Sequence, residues 1–329
     1  MQISKLFVKL PEEYACTPDG MAIDKEGNLI LACPNFADTK KQGCILSIDK
    51  NKQVQKLVDV PVHAETGLAH PMGIAFGPDW DLYICDNQGW NGAEELQFKG
   101  RLLRLRIKDG KIVKTTVVAA GMEHPNGVRV RGEHVYVTQS LLSKVNDPSG
   151  LLVSCVYKFH LEDENIEITN TLEDKNILTT FLTLNKECQY GADGIEFDEK
   201  GNLYVGNFGD GAVHRITFNS DGTVLDNSVW AKDSKELQTT DGIVRDSKGN
   251  FYIADFSANA VAKVTKEGKV TRIAQSPDSD GLNGELDQPG EPIVWNGKLI
   301  LSCFDLVTGP DKVNTKHELP ATLAELEIE

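Results

Sequence analysis

The stretch Ala192–Phe208, ADGIEFDEKGNLYVGNF, decides the fold. Ile195 and Phe197 alternate with polar neighbours, Glu199-Lys200-Gly201-Asn202 supplies a tight turn, and Leu203, Tyr204 and Val205 resume a β-rich run. That pattern reads as two short antiparallel strands. Immediately before the first strand stand Asp193 and Gly194, an acid followed by a residue tolerant of unusual backbone geometry.

The unit recurs along the whole chain. It appears as PDGMAIDKEGNLILAC (18–33), PMGIAFGPDWDLYICD (71–86), PNGVRVRGEHVYVTQ (125–139), TDGIVRDSKGNFYIAD (240–255) and, in degenerate form, GEPIVWNGKLILSC (290–303). Aligning Gly20, Gly73, Gly127, Gly194, Gly242 and Pro292 gives spacings of 53, 54, 67, 48 and 50 residues. A repeat of that length is the span of one four-stranded propeller blade. The stretches between hairpins supply two further β-rich runs per repeat, except after the sixth, where only 321–329 remains. The N-terminal run 3–10 is therefore expected to complete the last blade and close the ring, removing open sheet edges. The expectation is an all-β, six-bladed β-propeller forming one domain over residues 1–329. Two insertions, 140–150 and 162–175, account for the widest spacing and are candidates for shaping a pocket mouth.

A net charge of −15 argues against nucleic acid and anionic membrane surfaces as partners. No run is long and apolar enough to span a membrane, and residues 1–10 lack the apolar segment of a secretory signal. Seven cysteines without CxxC or metal-type spacing read as reduced, buried thiols, and the expected location is cytoplasmic.

In a propeller the first strand of each blade lines the channel. The residue before each aligned position then points toward the axis: Asp19, Met72, Asn126, Asp193, Asp241 and Glu291. Converging carboxylates repel, and burying them uncompensated costs several kcal/mol each. A bound divalent cation resolves the conflict, and an all-oxygen set favours Ca2+, then Mg2+ or Mn2+, with Zn2+ also considered. Asp or Asn before Gly is also common in turns, which explains any single position but not the set. The second strands end on the same face at Cys33, Asp86, Gln139, Asn207, Asp255 and Cys303, an outer ring of which Asn207 and Asp255 are candidate substrate contacts. His70 and His124 hold equivalent places in HPMG and HPNG and, with Met72, complete the candidate substrate-binding set. No GxSxG, HExxH or P-loop pattern is present, so chemistry through a metal-activated water or a metal-polarised carbonyl is the expectation.

DGMAID, PNGV, ADGIEFDEKGNLYVGNFGDGAVHRI and TDGIVRDSKGNFYIADF together resemble the senescence marker protein/gluconolactonase/luciferin-regenerating enzyme family over essentially the full length. The resemblance implies a lactonase dependent on Ca2+ or another divalent metal, with one metal held in the channel by a Glu, one or two Asn and an Asp. Counted by blade, those positions fall on Asp19, Asn126, Asp193 and Asp241; matched by motif, Glu291 takes the place of the Glu. Asp19 where Glu is usual, and an extra carboxylate in the ring, are departures. The leading reading is a hydrolase that opens a small-molecule sugar lactone or related cyclic ester, with Asp193 or Asp241 deprotonating the attacking water. A non-catalytic ligand-binding propeller and a metal-dependent lyase are the alternatives.

Overall fold

The D-x-x-G-N tract closing each regular inner hairpin folds identically in blades one, four and five of the computed structural model, which describes residues 1–309 and 312–328. In blade four, Asp198 Oδ1 accepts the Asn202 N–H at 2.8 Å and Asp198 Oδ2 accepts from Asn202 Nδ2 at 2.7 Å. Gly201 takes φ +90°, a conformation that strains any residue with a Cβ. Asp24–Asn28 and Asp246–Asn250 repeat both bonds. The turn chemistry therefore fixes hairpin register locally, before any blade meets its neighbour.

Six antiparallel sheets follow as a six-bladed β-propeller. Blade four is typical, with strands Ala192–Phe197, Leu203–Asn207, Ala212–Phe218 and Val224–Lys232 in order from the channel outward. The last blade combines Pro289–Trp295, Lys298–Cys303 and Thr322–Glu327 with the N-terminal strand Lys5–Lys9, through pairs such as Lys5 with Glu325. The expected closure by the N-terminus is thus present. The 162–175 insertion has a role other than a pocket mouth: Ile166–Glu167 adds a short parallel strand to the outer edge of blade two, against Ala119 and Ala120.

Apolar side chains lie between blades rather than inside any one sheet. Tyr204 of blade four, for example, packs on Phe251 of blade five with ring centroids 4.5 Å apart, beside buried Ile243 and Ile253. A lone blade would expose such a face, so burial favours the complete ring. Around the axis the inner strands approach so closely that the repeat glycine has no room for a side chain. A Cβ on Gly194 would lie 2.2 Å from the Asp241 carbonyl oxygen, and one on Gly20 2.2 Å from that of Met72. All seven cysteines are free thiols, and among the described residues no helix is long and apolar enough to cross a membrane.

Candidate active site in the central channel

In blades two, three, four and six the inner strand carries a β-bulge where the repeat places its ring residue and glycine. In blade three, Pro125 faces Gln139 and Val128 faces Val137, so Asn126 and Gly127 together oppose Thr138. Blades two, four and six show the same two-against-one step. A bulge locally re-aims side chains, and here it turns the ring residue into the channel. Asp19, Met72, Asn126, Asp193 and Asp241 form the floor of one cavity of about 520 Å3.

The degenerate blade corrects the sequence alignment. Pro289 faces Cys303 just as Pro71 faces Asp86, so Gly290 is the sixth ring residue and Glu291 occupies the glycine position. A Cβ on Gly290 would sit 2.8 Å from Asp19 Oδ1, so this glycine makes room for the Asp19 carboxylate. Glu291 therefore does not join the cavity floor. It meets Arg129 at 3.2 Å, and Arg129 also reaches Glu196 at 3.3 Å and the Ile243 carbonyl at 3.0 Å. Arg129 lies three positions beyond Asn126, roughly 10 Å further along the channel. It spans blades three to six there, a charged plug beneath the carboxylate floor.

Burial dominates the electrostatics of the floor. It lifts the Asp19 carboxyl from its ordinary 3.8 to about 8, with repulsion from Glu291 adding to the rise. Asp193 and Asp241 are raised well above the usual range, first by burial and then by the neighbouring carboxylates. Among the described residues no cationic side chain offsets any of the three, although Lys312 lines the same cavity. Glu291 is also raised by burial, to about 7, but Arg129 opposes the rise. In metal-free protein the native state therefore holds protons that the unfolded chain has released. The resulting stabilisation is complete below the unfolded carboxyl value and is lost as pH climbs toward about 8. Melting temperatures of metal-free protein are expected to fall steadily between about pH 4 and pH 8. A divalent cation that pairs the carboxylates should flatten that slope. A metal-free profile that rises over this window would contradict the assignment.

The donor set fits a hard divalent cation: the buried carboxylates of Asp19 and Asp193, the half-buried one of Asp241, and the Asn126 amide oxygen, on one floor. As a set of three, the carboxylate oxygens do not come within 4.8 Å of one another. Binding would draw them together by side-chain rotation or complete the coordination shell with water.

Above the floor runs an aromatic collar. Trp90, Phe304, Phe256, Phe208 and Tyr190 follow one another at centroid distances of 5.3, 5.7, 5.9 and 5.6 Å. Phe208, Phe256 and Phe304 each directly follow the end residue of a second strand, so one repeat position supplies three sides of the wall. The same position in blade two is Asn87, fully buried with both side-chain amide atoms unpartnered. Neither Asn87 nor Tyr190 was evident from the repeat.

The remaining predicted contacts stand elsewhere. Asn207 and Asp255 are fully buried beneath the collar and do not line the cavity. Asn207 is bonded to Thr183 and the Leu182 carbonyl. Asp255 accepts N–H groups of Gln238 and Thr239 and pairs with Arg272 at 3.2 Å. Asp86, paired with Arg101 at 2.6 Å, likewise accepts the His70 N–H, and Gln139 accepts that of Glu123. Asp86, Gln139 and Asp255 thus tie down the segments leading into the ring residues of their own blades. His70 is spent on the Pro34 carbonyl at 2.8 Å and stacks on Phe36. His124 reaches the Tyr190 hydroxyl at 2.5 Å from behind, in a smaller recess of about 270 Å3. Burial holds His124 down to about 3, so it is neutral and orients Tyr190 rather than carrying a proton.

No family model matches the chain, and no curated protein matches it. Solved structures do. A gluconolactonase from Xanthomonas campestris superposes with a TM-score of 0.60 at 14% identity, over 100% of this chain and 96% of that one. Regucalcin from Agrobacterium tumefaciens, described as a calcium-binding protein, gives 0.61 at 13% identity, over 98% and 92%. The likeness is one of fold. Virginiamycin B lyase from Staphylococcus aureus shares it at a TM-score of 0.52 and 14% identity, over 100% and 88%. The architecture alone therefore does not select a chemistry.

Proposed function

We propose that this protein is a divalent-metal-dependent hydrolase of lactones or related esters, and that the channel cavity is its active site. The observation that carries the reading is the cavity floor, where three carboxylates and a carboxamide converge and, among the described residues, no cationic side chain offsets them. Asp19, Asn126, Asp193 and Asp241 would hold the cation, most suitably Ca2+. A cation in that position supplies Lewis-acid polarisation of the ester carbonyl and favours ionisation of water. The residues of the chain do the rest. Asp193 or Asp241, held as a carboxylate by the positive charge beside it, accepts the proton of the attacking water. Asn126 orients the carbonyl, and Met72 contacts the ring of the substrate. Trp90, Phe208, Phe256 and Phe304, with Leu306 and Val307, exclude water and grip the body of the substrate. Such walls favour a cyclic ester with an apolar or aromatic portion over a fully hydroxylated one. The gluconolactonase and regucalcin likenesses agree with lactone chemistry and a calcium ion.

Turnover of a panel of sugar, aliphatic and aryl lactones in 18O-water tests this reading. Label should enter the carboxylate product, with the aryl and aliphatic substrates turned over best. Unlabelled product would indicate elimination, hence a lyase. No turnover across the panel, together with a ligand-raised melting temperature, would indicate a binding protein.

A further inference from the structure

Away from the channel floor, three segments of blade six bring acids together. Asp287 precedes the inner strand, Asp305 follows the second, and Glu318 lies in the long connection to Thr322–Glu327. One oxygen from each lies within 4.8 Å of the others. Oxygens on opposite sides of a bound Ca2+ stand about 4.6–5.2 Å apart, so the spacing suits one ion. Asp305 is fixed by Asn314 Nδ2 at 3.1 Å, the Glu318 N–H at 2.8 Å and the His317 ring at 3.2 Å.

A second observation points to a ligand. Asn314 is only 3% exposed, and its Oδ1 has no hydrogen-bond partner, although its amide nitrogen is held against Asp305. Asp287 Oδ1 and Glu318 Oε2 are likewise buried without a donor. Three orphaned acceptors from two segments thus lie at the acidic cluster or, for Asn314, on a side chain bonded to it, and among the described residues no N–H or O–H reaches them. Each orphaned acceptor is costly unless something positive fills the gap. We propose that Asp287, Asp305, Asn314 and Glu318 form a second site, for a structural divalent cation of the calcium type. Its place in the fold gives it a task. Asp305 lies between Phe304 and Leu306, both in the wall of the channel cavity. A cation here ties that wall segment to the entry of the inner strand of blade six, and so holds one side of the cavity.

The test is calorimetric titration of calcium into metal-stripped, full-length protein. It is run on wild type, on the channel variant Asp193→Asn/Asp241→Asn, and on Asp287→Asn and Glu318→Gln. The channel variant should still bind calcium, gain melting temperature with it, and become slower to be cut by trypsin after Lys312 and Lys316. Asp287→Asn and Glu318→Gln should each lose that binding event and that protection. Glu318 is partly exposed, so its variant keeps the test open if Asp287→Asn folds poorly. The site is overturned if the channel variant takes up no calcium, or if both cluster variants bind as wild type does. None of these readouts depends on hydrolysis, so the result stands apart from the activity proposed for the channel.

Discussion

Asp193→Asn and Asp241→Asn are each expected to lower kcat/KM for lactone hydrolysis at least ~100-fold, one through loss of the general base and the other through loss of a carboxylate that holds the cation. Asparagine keeps the size and one acceptor oxygen of the side chain but can neither take a proton nor carry charge. Both carboxylates sit among other acids, and among the described residues no cationic side chain offsets them. Removing one charge from metal-free protein should therefore leave its melting temperature unchanged or raise it. That combination distinguishes a functional carboxylate from a structural one, because losing a structural acid lowers stability and activity together. Full hydrolysis by both variants would remove the channel from the chemistry.

Arg129→Met should destabilise the protein by about 3 kcal/mol or more, because it strands two carboxylates that the arginine now pairs. Glu196 and Glu291 come from different blades and are both largely buried, with side-chain exposures of 18% and 15%. The loss should be greatest at high pH, where Glu291, raised to about 7 even with Arg129 present, must ionise unpaired. Adding Glu291→Gln to Arg129→Met should recover part of it, measured as the melting temperature at pH 5 and pH 8. A single variant as stable as wild type at both pH values would show that the plug contributes nothing.

The six blades were legible because turn chemistry and alternation are local. Asp198, Gly201 and Asn202 build their turn from neighbours in sequence, and the same letters recur at blade spacing. Five ring positions were legible for the same reason, since each is written as a residue before glycine. Blade six failed because its glycine and its side-chain-bearing residue are exchanged. Gly290 yields space to Asp19, while Glu291 is drawn to Arg129 from across the channel. The outer polar ring was visible as polarity, but its partners were not. Asp255 meets Arg272 and Asp86 meets Arg101, contacts set by strand register rather than by motif. The collar was half legible: Phe208, Phe256 and Phe304 each follow the second-strand end of their blade. Tyr190 and Trp90 arrive from connections that carry no periodic signal.

The measurement that bears most directly on the central claim is hydrolysis by wild-type protein before chelation, after it, and after re-addition of Ca2+, Mg2+, Mn2+ or Zn2+, with bound metal counted at each stage. The account predicts that chelation abolishes turnover, that a divalent ion restores it, and that Asp193→Asn/Asp241→Asn recovers neither the channel metal nor the activity. Undiminished turnover in protein shown to be metal-free would contradict it.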